Sequence, residues 1–257
     1  MKDQESPALV LEKVSRSYGS LRALDAVSFV LYPGELVALL GENGAGKTTT
    51  LRLIAGLLSP DAGLIQGMGG RIAWGSKEMK QFMGYLPEDP FLYETLSGFE
   101  FLELVGALHR LPRSLCQQRA EQLLTRLNLR EVAQRRIQSY SQGMRRRLAL
   151  CSVLLHSPRL LLLDEPLNGL DLASVREVKL LLSELCAEGS AVLVSTHLLD
   201  VAERLCSRAI ILSHGRVIAD GALEELRRQA SQGAEASLEA VFFALTASDH
   251  GVVHSES

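Results

Sequence analysis

Residues 35–57 read ELVALLGENGAGKTTTLRLIAGL: a short apolar run, a glycine-rich turn and a segment of helical character in immediate succession. The turn from Gly41 to Thr48 has the spacing G-x-x-x-x-G-K-[ST]. A strand before it and a helix after it form the setting in which that spacing binds phosphate. Glycines let backbone N–H groups turn inward as an anion-binding nest, and the following helix directs its positive end at the same anion. The expected cradle runs through Gly41, Glu42, Asn43, Gly44, Ala45, Gly46, Lys47, Thr48 and Thr49. Lys47 is placed to reach the β- and γ-phosphates and Thr48 to set its hydroxyl on Mg²⁺. A plain glycine-rich turn requires neither the Lys-Thr pair nor both flanking elements.

Two more stretches repeat the format. RLLLLDEP, residues 159–166, precedes an expected helix from about Leu172 to Ala187, where Leu172, Val175, Val178, Leu182 and Leu185 recur at helical spacing and Gly189 lies just past the end. AVLVSTH, residues 191–197, precedes LLDVAERLC. Strand–helix alternation of this kind implies a parallel sheet with helices on its faces and a ligand crevice at the carboxyl ends of the strands. Side chains alternate along a strand, so the adjacent Asp164 and Glu165 can diverge to different tasks. Asp164 suits a Mg²⁺ shell, and Glu165 suits a general base acting on water. In isolation, both acids could instead cap the next helix or pair with arginines.

Residues 8–35 and 63–75 carry β-type runs (LVLEKV, VSFVLY, RIAWG) broken by Gly and Pro, which suggests an antiparallel sheet; GMGG reads as a hairpin turn. From Pro90 to Leu155 the chain is helical in character. The expected organisation is a single domain over 1–245. Its α/β core spans 8–89 and 156–226, with a helical insertion over 90–155, a C-terminal helical extension over 227–245 and a flexible tail over 246–257. The fold class is α/β: a phosphate-loop (P-loop) NTPase core with a mainly parallel sheet, an antiparallel β subdomain and an inserted helical subdomain.

Composition narrows the partners. The 257 residues carry a net charge of −3, which gives no sign of general nucleic-acid binding. The N-terminal MKDQESPALV is polar and unlike a secretory signal, and no uninterrupted apolar run reaches the roughly 18 residues of a membrane span. Cys116, Cys151, Cys186 and Cys206 include no CxxC pair and read as reduced packing residues, with metal ligation or a disulfide as the alternative. Arg145, Arg146 and Arg147 read as a solvated or phosphate-facing helix surface rather than a nucleic-acid patch. GTPase motifs of the N-K-x-D and D-x-x-G types do not occur.

In order, SRSYGS with Tyr18, GENGAGKTT, GYLPEDP, YSQGM, LLLLDEP, NGLD and STH follow one another along the chain. From about Leu9 to Leu226 the sequence thereby resembles the ATP-binding subunits of ABC transporters. The resemblance implies a head-to-tail dimer with two Mg-ATP at the seam. It implies that Tyr18 stacks on adenine and that His197 contacts the γ-phosphate. Ser141 and Gly143 would bind the γ-phosphate of the ATP held by the other subunit, Asp171 would couple the two sites, and Glu88 would ligate Mg²⁺ and relay to a membrane partner. Two motifs depart from the family pattern: the usual Leu-Ser-Gly-Gly-Gln reads Tyr140, Ser141, Gln142, Gly143, Met144, with Gln142 where Gly is usual, and Glu88 stands where Gln is frequent. GYLPE and the late SLEAVFFAL look like the bacterial branch associated with drug, antibiotic and small-solute export.

The expectation is therefore an ATP-hydrolysing subunit, peripheral at the cytoplasmic face of the cell membrane. It would power a separate transmembrane permease beside a second ATP-binding subunit, touching the membrane through the permease alone and binding no nucleic acid. The rival readings are a soluble ATPase of the same type acting on ribosomes or DNA, and a nucleotide-binding regulatory subunit with little turnover.

Overall fold

The computed structural model describes residues 6–67, 70–71, 77–233 and 236–253. The chain opens with two long antiparallel strands, β1 (Leu9–Tyr18) and β2 (Leu21–Leu31), then the short β3 (Leu36–Leu40), which leads through the glycine-rich turn into α1 (Lys47–Ile54). β4 (Ala62–Gly67) and β5 (Gly70–Arg71) pair as a hairpin, as the glycines of GMGG suggest, and α2 (Lys77–Phe82) precedes β6 (Met83–Leu86). Most of the RIAWG run lies outside the described residues. Three helices follow: α3 (Gly98–Leu108), α4 (Arg113–Arg126) and α5 (Gln142–Leu154). β7 (Leu160–Asp164), α6 (Leu172–Ala187), β8 (Ala191–Thr196), α7 (Leu199–Leu205), β9 (Arg208–Ser213) and β10 (Arg216–Ala222) then alternate, before α8 (Leu223–Gln229) and α9 (Leu238–Val253).

Among the described residues the strands form two sheets. One is antiparallel, in the order β2-β1-β4-β5. The other has the order β10-β9-β3-β8-β7-β6 and is parallel throughout except for its β10 edge. Every residue of β7 and of β8 is buried, which explains why these strands read as unbroken apolar runs. Alternate residues serve opposite layers. Ala38, Leu40, Leu161, Leu163, Val192 and Val194 join one core with the helices of the middle segment. Val37, Leu39, Leu160, Leu162 and Leu193 join the other, shared with α1 and the antiparallel sheet. The glycine turn and the ends of β7 and β8 consequently meet at one edge of the sheet.

Helix starts follow local chemistry. Ser97 and Glu100 form a reciprocal capping box at α3, and the Ser141 hydroxyl accepts from Met144 N at α5. α6 spans Leu172–Ala187 as its periodicity predicts, and Gly189 follows in the left-handed region. Its first apolar residue, however, does not face the core: Leu172 is 86% exposed. The stretch after Leu245, expected as a loose tail, begins inside a helix, and residues 254–257 lie outside the described residues. α9 continues to Val253, its inner face of Leu238, Val241, Phe242 and Thr246 is buried, and Thr246 Oγ1 donates to Phe242 O at 2.9 Å.

Candidate active site

Two glycines of the turn between β3 and α1, Gly41 and Gly46, leave no room for a side chain. A Cβ at Gly41 would stand 2.6 Å from Leu212 O and 2.8 Å from Ala45 Cβ. Gly46, the N-cap of α1, has φ 106°, and a Cβ there would meet Leu24 Cδ2 at 2.5 Å and Ala23 O at 2.8 Å. The hairpin tip between β9 and β10 braces the turn from outside: Gly215 N donates to Ala45 O at 3.1 Å, while Asp25 N donates to Gly215 O. Lys47 folds back over the cradle, donating from Nζ to Gly41 O (2.7 Å) and Glu42 O (3.1 Å). Burial lowers its pKa, and Glu165, Asp164 and Glu88 pull the other way, so the ammonium sits in a field of three carboxylates.

Across from it, Asp164 ends β7 with a buried carboxylate. Oδ1 accepts from Ser195 Oγ at 2.5 Å, and Oδ2 is buried with no hydrogen-bond partner among the described residues. Glu165 stands at φ 47°, a sparsely populated conformation for a side-chain-bearing residue that clusters at functional sites. The neighbouring strand holds it there: Glu165 N donates to Ser195 O (3.1 Å) and lies 3.2 Å from Ser195 Oγ. Its Oε1 is 2.7 Å from His197 Nδ1, and its Oε2 is again buried and unpartnered. Two orphaned carboxylate oxygens beside an anion nest are costly unless a ligand completes them. The oxygen donors Thr48 and Asp164 are of the hard kind that Mg²⁺ takes, with Glu88 at the same cleft, so the residues present fit that ion.

These groups line one cleft of about 540 Å³ that contains Tyr18, Glu42, Asn43, Gly44, Gly46, Lys47, Thr48, Thr49, Glu88, Asp164, Glu165 and His197. Gly41 and Ala45 underlie it. At the outer end the guanidinium of Arg16 lies over the Tyr18 ring, 5.3 Å from its centroid, and is itself tied to Asp61 and Ser59 O. Ser141, Gly143 and Asp171 are not among the residues that line this cleft. Ser141 caps α5, Gly143 lies inside the first turn rather than before the helix, and Asp171 caps α6 by accepting from Ser174 N at 2.8 Å. That bond holds the Asp171 carboxyl below its ordinary pKa. The unusual Gln142 packs over Gly169, where a Cβ would stand 3.4 Å from Gln142 Cδ.

Several residues escaped the sequence reading. Ser195 fixes both acids, and Arg22 and His214 line the cleft. The arginine triplet is not a solvated surface. Arg145 binds Glu94, Tyr140 O and Gln138 O, and Arg147 binds Leu127 O and Gly143 O. Arg146 is buried and binds the carbonyls of Pro87, Glu88 and Glu165. A run of three basic residues carries no sign of which carbonyls will face it.

Residues 24–168 match the ABC transporter family. The uncharacterized ABC transporter ATP-binding protein YxlF of Bacillus subtilis is 42% identical over 221 residues, 86% of this chain and 73% of that protein. The daunorubicin resistance ATP-binding protein DrrA3 of Streptomyces coeruleorubidus is 37% identical over 222 residues, 86% of this chain and 70% of that protein. A solved structure of an ATP binding subunit of an ABC transporter superposes with TM-score 0.87 at 36% identity, covering 93% of this chain and 99% of that one.

Proposed function

The chain belongs to the ABC transporter family as an ATP-binding, ATP-hydrolysing subunit, and from that premise we propose that it works as one half of an ATP-clamped pair that drives a separate membrane permease, in the direction of export. The observation that carries this reading is the pair of buried, unpartnered carboxylate oxygens, Asp164 Oδ2 and Glu165 Oε2, in one cleft with the glycine cradle and Lys47. The cradle N–H groups and Lys47 hold the triphosphate, and Tyr18 offers its ring to adenine. Thr48 and Asp164, with Glu88 beside them, hold Mg²⁺, which supplies charge neutralisation at the phosphates. Glu165 takes the proton from the attacking water through Oε2. His197, held by Oε1, orients that carboxylate and meets the terminal phosphate.

Ser141 and Gly143 do not line their own chain's cleft, which suits the proposal that they close over the ATP of a second copy or a similar chain. Helix tips bind anions through free N–H groups, and Ser141 adds its hydroxyl. The permease contact would lie on the helical segment 90–155 together with the loop from Gly84 to Pro90. There Phe91 is 79% exposed, its ring 5.3 Å from that of the half-exposed Tyr93, and Leu108 is 74% exposed, an unusual amount of apolar surface to leave in water. Among the described residues no helix is long and apolar enough to cross a membrane, in keeping with a permease supplied by another chain. Export is favoured by the drug-resistance relative. Action on nucleic acid is not favoured, because Arg145, Arg146 and Arg147 are all engaged within the chain.

Affinity purification from solubilised membranes tests the transport role. A multi-span protein should co-purify, and ATP turnover should rise when the pair is reconstituted in vesicles. Recovery without membrane protein, or turnover stimulated by ribosomes or DNA instead, contradicts it.

A further inference from the structure

Arg146 is 8% exposed, yet no carboxylate among the described residues bonds its guanidinium. Three main-chain carbonyls do. Nη1 donates to Pro87 O (3.3 Å) and to Glu88 O, and Nη2 donates to Glu165 O at 3.0 Å. The acceptors lie on two separate segments: the turn that leaves β6 for the helical segment, and the end of β7 that carries both site acids. Burying a charged group in this way is costly and is tolerated only with full hydrogen bonding. The four carboxylates of Asp89, Glu88, Asp164 and Glu165 oppose the effect of burial and favour the charged form.

The main chain of Glu165 is thus pinned on both sides, its N–H by Ser195 and its carbonyl by Arg146, at a φ of 47° that it would not adopt freely. Arg146 stands just over one turn into α5, the helix capped by Ser141. A helix moves as a rigid rod, so the guanidinium and the Ser141 tip share one motion. A planar fork can bridge two segments; a lysine ammonium, a single point charge, reaches only one of them.

We propose that Arg146 is a positioning residue that locks α5 to the Glu88 and Glu165 turns, so that the state of a chain's own phosphate cleft sets the attitude of the Ser141 tip it offers to a second copy. This deepens the proposed function and rests on it. The link is internal to one chain, and it gives each copy a way to report its bound nucleotide to its neighbour's site.

The test compares R146M, which keeps the packing volume, and R146K, which keeps the charge, with the unaltered chain. ATP turnover is followed by phosphate release and affinity by a fluorescent ATP analogue. In both variants kcat should fall at least tenfold, while KM and the analogue's Kd stay within threefold. In a Glu165→Gln background, which retains ATP, sedimentation with Mg-ATP should show the pair forming for E165Q and requiring at least tenfold more protein for E165Q/R146K. Unchanged kcat and unchanged pairing overturn the proposal. So does a parallel loss of kcat, affinity and thermal midpoint, which marks a scaffold role only; if R146M does not fold, R146K alone decides. Failure of E165Q itself to pair would refute the two-copy reading instead, and the kcat-against-KM split would still judge the positioning of Glu165.

Discussion

His197 Nδ1 lies 2.7 Å from Oε1 of Glu165, while the other carboxylate oxygen, Oε2, is buried and has no partner. One oxygen is therefore engaged in orientation and the other is left for chemistry. His197→Ala should reduce kcat by about 10² or more, the scale of lost acid–base assistance, with KM for ATP within threefold. Steady-state phosphate release measures both. A matching loss in KM alone would place His197 in binding instead.

The cradle glycines differ in what constrains them. At Gly46 a Cβ meets both a side chain and a carbonyl, whereas at Gly44, with φ 84°, nothing lies within 4 Å. Gly46→Ala should cost roughly 2–4 kcal/mol in urea unfolding and abolish nucleotide binding. Gly44→Ala should cost about 1 kcal/mol, from backbone strain alone. Equal costs at the two positions would show that the close approach to Leu24 and Ala23 is not what selects glycine at Gly46.

Burial behind the sheet, and then the neighbouring His109 ring stacked 3.9 Å away, push the His156 pKa from 6.5 down to about 4, although its Nε2 contacts Met83 O. A lowered folded-state pKa means that the unfolded chain binds the proton first as pH falls. The stabilisation is thus complete above pH 6.5 and is lost progressively toward pH 4. Between pH 7.5 and 5 the loss from this residue should be about 2 kcal/mol. His156→Gln should flatten that part of the acid limb in denaturant titrations at the two pH values. An undiminished slope in the variant would assign the acid sensitivity to other groups.

The phosphate cradle, the acids Asp164 and Glu165 and His197 were legible in the sequence, because each lies where an unbroken apolar run gives way to small or polar residues at a strand end. The fold class followed from the same three runs. β6, β9 and β10 were not legible: MGYL is short, and the apolar runs of β9 and β10 flank a His-Gly turn that gives no hint of its pairing partners. Arg146 and Ser195 were missed for a related reason. Their roles depend on main-chain carbonyls and on a neighbouring strand that only the sheet order brings within reach. Leu172 shows the opposite error, a periodic apolar residue on a turn with nothing to pack against.

Asp164 Oδ2 is the buried oxygen best suited to meet the metal, since Oδ1 is already held by Ser195. Asp164→Asn should leave the fold intact through that hydroxyl and remove most of the Mg²⁺ dependence of ATP binding. Differential scanning fluorimetry should show Mg-ATP raising the melting temperature of the unaltered chain by several degrees, following ligand linkage. EDTA, or the substitution, should reduce that shift to less than half. A full shift in the Asn variant would move the metal site away from Asp164.

The most direct measurement is sedimentation of Glu165→Gln with Mg-ATP, with and without a second substitution, Ser141→Arg. The account predicts that E165Q sediments at twice the mass of the chain only when Mg-ATP is present. It predicts that E165Q/S141R remains monomeric while binding Mg-ATP with unaltered affinity, because Ser141 acts on the nucleotide of the other copy. Dimerisation of E165Q/S141R at the same concentration, or loss of its monomer's own affinity for Mg-ATP, would contradict the account.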